Sequence, residues 1–348
     1  MNSPKKITIA VTGLNATDSP GPGVAVIRAL REGFDHIRII GLSYEALEPG
    51  LYLHDLVDKT YQIPYPSAGA NTLLERITYI HQQEELGVLI PNFDAELYNF
   101  IRISSELLKL GIATFLPTHR QLEDRDKLNL DEFGRKHDLK VPESLVIHKE
   151  AGLKKAAEQL DYPIVVKGRY YDAYIAQNEH EASKAFQRLN AKWGLPVIIQ
   201  KFIKGTEINI AALGDGKGGT ISIVPMRKLT ITDKGKAWAG ITLEDESLLQ
   251  LARHFSEVTH WRGGFELEVM KDPGGDLYIM EVNPRFPAWI YLTAAAGQNQ
   301  PAALAKMAMG EEVAPFDTYA VGKMFIRYAW DHVTDVSEFQ QISAFGEL

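Results

Sequence analysis

Residues 263–285 run GGFELEVMKDPGGDLYIMEVNPR. Two apolar-rich stretches flank Asp272-Pro273-Gly274-Gly275-Asp276, a strong hairpin turn signal. Folded as a hairpin, Glu268 and Glu281 lie on neighbouring strands, and Glu281 and Asn283, two apart, point to one face. That face carries two carboxylates and an amide oxygen. Oxygen-only donors suit magnesium, with manganese as a substitute, held together with substrate phosphates. A solvated strand face is the plain alternative for any single glutamate. Glu281, however, sits in an otherwise apolar strand, where an unpaired charge is costly. Glu266 shares the strand face of Glu268 and stays open as the upstream ligand. Arg285 shares the face of Glu281 if the strand continues past Pro284, and its guanidinium suits a phosphate or carboxylate charge.

The rest of the chain is that of a soluble globular protein. Its 348 residues are 45% hydrophobic and 24% charged, enough for two or three domains. A formal net charge of −8 argues against broad binding to nucleic acid or an anionic membrane. The absence of cysteine removes disulfides, thiolate ligands and a cysteine-dependent glutaminase. The N-terminal apolar run is too short for a signal peptide and 286–297 too short to span a bilayer, so a cytoplasmic location is expected.

Short apolar runs alternate with helical periodicity over the first third: strands at 7–11, 37–41, 88–91 and 113–116, helices at 24–32, 72–83 and 95–110. This predicts a doubly wound α/β domain over 1–123. A small α+β block follows over 124–196, with a helix at 127–137, strands at 145–147, 164–167 and 174–177, and helices at 153–160 and 181–192. Longer strands dominate 197–348, at 197–203, 207–213, 220–226, 264–271 and 277–282, with a helix at 248–259. An antiparallel sheet is expected there.

The ordered Glu, hairpin, Glu281-Val282-Asn283-Pro284-Arg285 segment resembles the ATP-grasp superfamily, especially the branch around the carbamoyl-phosphate synthase large subunit. The resemblance extends over about residues 120–310. It implies an ATP-grasp fold: an N-terminal doubly wound domain, a small lid subdomain and a C-terminal antiparallel-sheet domain. It implies Glu268, Glu281 and Asn283 as metal ligands. Further residues appear upstream in the order the family uses. Lys127 resembles the first lysine that reaches the nucleotide phosphates, and Lys167, closing Ile164-Val165-Val166-Lys167, resembles the second. In Ile199-Gln200-Lys201-Phe202-Ile203-Lys204-Gly205-Thr206-Glu207, Gln200, Lys201, Phe202 and Ile203 resemble the hinge that holds adenine. Glu207 matches the carboxylate on the ribose hydroxyls. One departure stands out: Gly168-Arg169-Tyr170-Tyr171-Asp172 replaces the usual glycine- and serine-rich phosphate loop.

On the substrate side, Arg227 and Lys228 either hold a substrate carboxylate or acyl phosphate, together with Arg285, or belong to a charged loop. Trp289 and Tyr291 line a pocket or pack in the core. The resemblance implies a ligase that uses ATP and magnesium to activate a small-molecule or peptide carboxylate as an acyl phosphate for attack by an amine. It admits a homodimer. Two rivals remain at this level: a nucleotide-binding module of the same fold without catalysis, and a nicotinamide-dependent oxidoreductase suggested by the N-terminal α/β domain alone.

Overall fold

The computed structural model describes residues 7–16, 20–169 and 172–348. In chain order its strands are β1 (Ile7–Val11), β2 (Ile37–Ser43), β3 (Lys59–Gln62), β4 (Val88–Ile90), β5 (Ser144–Ile147), β6 (Ile164–Gly168) and β7 (Ala173–Ala176). Then come β8 (Val197–Lys201), β9 (Thr206–Asp215), β10 (Thr220–Ile231), β11 (Ala237–Thr242), β12 (Arg262–Lys271), β13 (Leu277–Asn283) and β14 (Met324–Ile326). They form three sheets, ordered β3-β2-β1-β4, β13-β12-β9-β10-β11-β14 and β5-β8-β6-β7.

The chain divides into two compact units. The larger takes Met1–Leu122, Asn209–Glu266 and Asn283–Leu348; the smaller takes Glu123–Ile208 and Leu267–Val282. A reading along the sequence breaks the chain at 123/124 and 196/197. The smaller unit instead extends to Ile208 and draws in a segment from much later in the chain. Backbone bonding accounts for this: Ile279 N–H donates to the Lys140 carbonyl at 2.8 Å, and Lys140 Nζ meets Asp276 Oδ1 at 2.6 Å. Gly205 approaches Lys271 so closely that a Cβ there would lie 2.3 Å from its carbonyl oxygen.

In the larger unit, β1 pairs in parallel with β2 and β4 (Ile9 with Ile39 and Val88). Strand alternation sends Ile9, Val11 and Ile39 into one core with the helices Pro22–Gly33 and Gln300–Ala308. It sends Ala10, Ile40, Leu42 and Leu89 into another with the helices Ala70–Glu84 and Asp94–Arg102. Both faces are therefore apolar, as a parallel sheet requires. The end of the chain supplies an antiparallel edge partner: Thr60 and Leu348 exchange N–H···O bonds at 2.9 and 3.0 Å.

Several sequence expectations need correction. Residues 113–116 form no strand; Ala113 makes a single bridge to Val88. The helix expected over 95–110 is two, Asp94–Arg102 and Ser104–Lys109. The helix expected from Lys127 begins at Leu130, because Asp126 Oδ1 accepts from Leu128 N–H at 3.0 Å and turns the chain first. Arg227 and Lys228 lie not in a loop but on β10, paired with Ile241 and Gly240 of β11 just before a register shift.

In the smaller unit, β6 runs antiparallel to both β7 and β8. Ile164, Val166, Val197 and Ile199 face a core closed by the helices Gly152–Leu160 and Glu179–Trp193. Val165, Lys167, Ile198 and Gln200 therefore share the opposite face.

Candidate functional site

Lys167 is the last residue but one of β6, cross-strand from Ile198. Burial is the largest influence on its ammonium and pushes it down to about 8, with Glu281 pulling it up, Lys127 pushing it down and Glu268 pulling it up, in that order. Lys127 Nζ lies 3.1 Å from Glu281 Oε1. Two lysines and two carboxylates from four separate stretches of the smaller unit thus converge. Desolvating an ammonium this strongly is costly, and two nearby anions offset the cost. The arrangement suits a ligand that carries both anionic oxygens and a cation.

Gln200 lies on the same sheet face, cross-strand from Val165. It is 3% exposed; its Nε2 donates to Ser144 Oγ at 2.9 Å, while its Oε1 has no partner. A buried orphan acceptor is uncommon and marks a place where a donor belongs. Lys201 is exposed, Phe202 and Ile203 are half-buried just beyond β8, and Glu207 is half-buried on β9. The loop after Lys167 is closed by Gly168 N–H to the Asp172 carbonyl at 3.0 Å. Tyr170 and Tyr171 lie outside the described residues.

Asn283 and Glu266 belong to the larger unit, and there Asn283 Nδ2 donates to Glu266 Oε2 at 3.0 Å. Glu266 Oε1 accepts from Asn209 Nδ2 and Trp289 Nε1, both at 2.8 Å. Arg327, held below its ordinary value by burial, is drawn back up by Glu266. Trp289 is therefore a core residue with a polar task, orienting Glu266. Sequence reading left Glu266 open as a ligand but gave no sign of Asn209. Tyr291 donates its hydroxyl to Glu32 and lies under Arg28, 3.8 Å from guanidinium carbon to ring centre. Arg285 Nε donates to Asp94 Oδ1 at 2.5 Å and Nη1 to the Phe286 carbonyl at 3.1 Å. Lys228 Nζ reaches the Gly235 carbonyl at 3.3 Å, and Arg227 is exposed. Among the described residues no group of three or more His, Cys, Asp or Glu could hold a metal ion.

A second polar cluster sits where the parallel sheet reverses its order, at the carboxyl ends of β1, β2 and β4. Such switch points are where open α/β sheets bind ligands. Glu96, 1% exposed, accepts from Thr12 Oγ1 at 2.5 Å, from the Tyr44 hydroxyl, and from the N–H groups of Asn92 and Phe93 at 2.8 and 2.9 Å. Burial still outweighs these four donors and pushes the carboxyl up to about 7. Sequence reading did not find Glu96.

Comparison with known proteins agrees with this architecture. Residues 195–328 match a family described as ATP-grasp in the biosynthetic pathway with Ter operon. The carbamoyl phosphate synthase large chain of Agathobacter rectalis is 23% identical over 239 residues, covering 61% of this chain and 21% of that protein. A D-alanine–D-alanine ligase of Chromohalobacter salexigens is 25% identical over 170 residues, covering 45% of this chain and 54% of that protein. The chain thus spans about a fifth of the length of the carbamoyl phosphate synthase chain. The biotin carboxylase domain of Hydrogenobacter thermophilus 2-oxoglutarate carboxylase, solved with MgADP, ADP and bicarbonate, superposes with a TM-score of 0.70 at 18% identity, over 92% of this chain and 73% of that one. Staphylococcus aureus N5-carboxyaminoimidazole synthetase complexed with ADP gives 0.67 at 16% identity, over 92% and 81%.

Proposed function

Starting from a chain that carries the ATP-grasp fold, we propose that it is an ATP-dependent ligase joining a carboxylate to an amine. The observation that carries this reading is the convergence of Lys127, Lys167, Glu268 and Glu281 within one unit.

The residues present fit magnesium and a nucleotide. The carboxylates of Glu268 and Glu281, with Asn283 two positions along β13, are hard oxygen donors suited to magnesium. Glu266, hydrogen-bonded to Asn283, is the further carboxylate that orients it. When bound, magnesium neutralises charge on the triphosphate. Lys127 and Lys167 hold phosphate oxygens, and the same ligand meets the electrostatic cost of keeping Lys167 charged. The orphan Oε1 of Gln200 accepts a hydrogen bond from an exocyclic amine of the kind adenine carries. Phe202 and Ile203 flank the base, with Lys201 beside them, and Glu207 binds the ribose hydroxyls.

In the reaction, a carboxylate oxygen of the acid substrate, held by Arg285, attacks the γ-phosphorus. The bond from that phosphorus to the bridging oxygen breaks, giving an acyl phosphate and ADP. An amine nitrogen then attacks the acyl carbon, loses a proton and expels phosphate. Arg227 and Lys228 are the cations available to steady the acid or the departing phosphate. The chemistry rests on positioning and on fixed charges rather than on a covalent protein intermediate.

Hydroxylamine trapping tests this directly. The protein with ATP, magnesium and a panel of carboxylic acids should form a hydroxamate with one class of acid, and Glu281→Gln should abolish it. ATP binding with neither hydroxamate nor ADP formed above background would leave the fold as a nucleotide-binding module.

A further inference from the structure

The crevice at the sheet's switch point carries an aromatic shelf that the reading above does not use. Tyr44 and Tyr65 stack with ring centres 5.7 Å apart and planes 20° apart, and Phe93 leans on Tyr44 at 6.2 Å and 51°. These rings are not core: Tyr65 is 51% and Phe93 37% exposed. Tyr44 is pinned beneath them by its bond to Glu96, so the shelf is fixed before any ligand arrives.

The shelf's exposed polar neighbour is a carboxylate. The Tyr65 hydroxyl donates to Glu45 Oε1 at 2.9 Å. Glu48, buried, accepts from the N–H of Tyr44 at 2.7 Å. Asp94, directly after Phe93, binds Arg285. Among the described residues no lysine or arginine pairs with Glu45 or Glu48. Exposed aromatic faces are unfavourable in water unless something covers them. Faces of tyrosine and phenylalanine attract cations, and a carboxylate rim adds to that attraction. An anionic or neutral apolar occupant would leave the rim uncompensated.

We infer that the Tyr44–Tyr65–Phe93 shelf, rimmed by Glu45, binds an organic cation, namely the ammonium-bearing amine that accepts the acyl group. That this amine accepts the acyl group rests on the ligase reading; the cation site stands on the shelf itself. The amine arrives protonated, is held by its charge and its methylene groups on the rings, and must shed a proton to attack.

The test is ligand-observed saturation-transfer NMR on the full chain without ATP, using a five-carbon series that differs only in charge: 1,5-diaminopentane, 1,5-pentanediol and glutarate. The diamine should bind saturably with transfer from tyrosine and phenylalanine rings, at least tenfold more tightly than the diol. Glutarate should not compete. Tyr65→Ala should weaken the diamine at least tenfold, Tyr65→Phe should restore most of that loss, and Glu45→Gln should weaken it several-fold. Thermal unfolding of each variant confirms that it is folded. Equal binding of diol and diamine, or full diamine binding by folded Tyr65→Ala, overturns the proposal. ATP turnover is measured separately. Diamine binding without turnover would leave this site standing and remove the ligase reading, whereas turnover with no diamine binding would do the reverse.

Discussion

Replacing Glu96 by Gln isolates one buried carboxyl whose ionisation the fold opposes. The carboxyl is pushed from 4.5 up to about 7. An acid with a raised folded value supports stability fully below its unfolded value and loses that support as pH climbs through the folded one. Across this window the unfolded chain has given up the proton while the folded chain retains it, so stability falls as pH rises. A difference of this size corresponds to about 3 kcal/mol between pH 4.5 and 7, at ~1.4 kcal/mol per unit. Glutamine preserves the bonding: its oxygen can take the Asn92 and Phe93 N–H groups and Thr12, and its NH₂ can donate to the Tyr44 oxygen. Urea unfolding of wild type and Glu96→Gln at half-unit steps from pH 4.5 to 8 should show the two curves diverging, with the variant gaining about 3 kcal/mol relative to wild type by neutral pH. Glu96→Ala removes the acceptor of four donors, of which Asn92 N–H keeps Thr12 Oγ1, and should cost about 3–5 kcal/mol at pH 4.5, from roughly 1–3 kcal/mol per lost buried bond with partial compensation, the cost shrinking as pH rises towards 7. Parallel wild-type and Gln curves would refute the claim that burial dominates this carboxyl.

Lys167 titrates with the opposite protonation logic. Its folded value is lowered to about 8, so the folded chain sheds its proton first, and the lysine's contribution to ligand-free stability should improve between about pH 8 and 10.5. Lys167→Met should remove that slope in urea unfolding while weakening MgATP binding at least tenfold. Calorimetry in buffers of different ionisation enthalpy should detect proton uptake when ATP binds near pH 9. Gly264→Ala would place a Cβ 2.4 Å from the buried Phe286 ring, and unfolding should show a loss of about 1–3 kcal/mol from overpacking.

What the sequence disclosed is local. The turn at 272–276 forms as read, with Asp272 N–H bonded to the Asp276 carbonyl at 2.9 Å. At 215–219, Asp215 N–H bonds the Gly219 carbonyl at 3.0 Å in the same way. Both are specified by Asp and Gly within five residues, which needs no tertiary context. Lys167 stood out in the sequence because it closes the apolar run Ile164-Val165-Val166. The long-range partners were not legible, because contact is not written in sequence order. Glu96 bonds Thr12 across 84 positions and Arg285 bonds Asp94 across 191. Asn209 and Trp289 looked like ordinary strand and core residues until Glu266 was placed against both. Segment 267–282 joining the smaller unit is the same effect at larger scale: backbone bonding and close approach, not proximity along the chain, decide membership.

In the proposed ligase, Lys127, Lys167, Glu268 and Glu281 together receive a metal-bound triphosphate. Titration calorimetry of ATP into the protein, with magnesium and then with excess chelator, on wild type and Glu281→Gln, measures it without knowledge of the acid or the amine. Wild type should bind ATP at least tenfold more tightly with magnesium, and Glu281→Gln should lose that difference. Magnesium-independent binding by wild type, or an undiminished magnesium effect in Glu281→Gln, would contradict it.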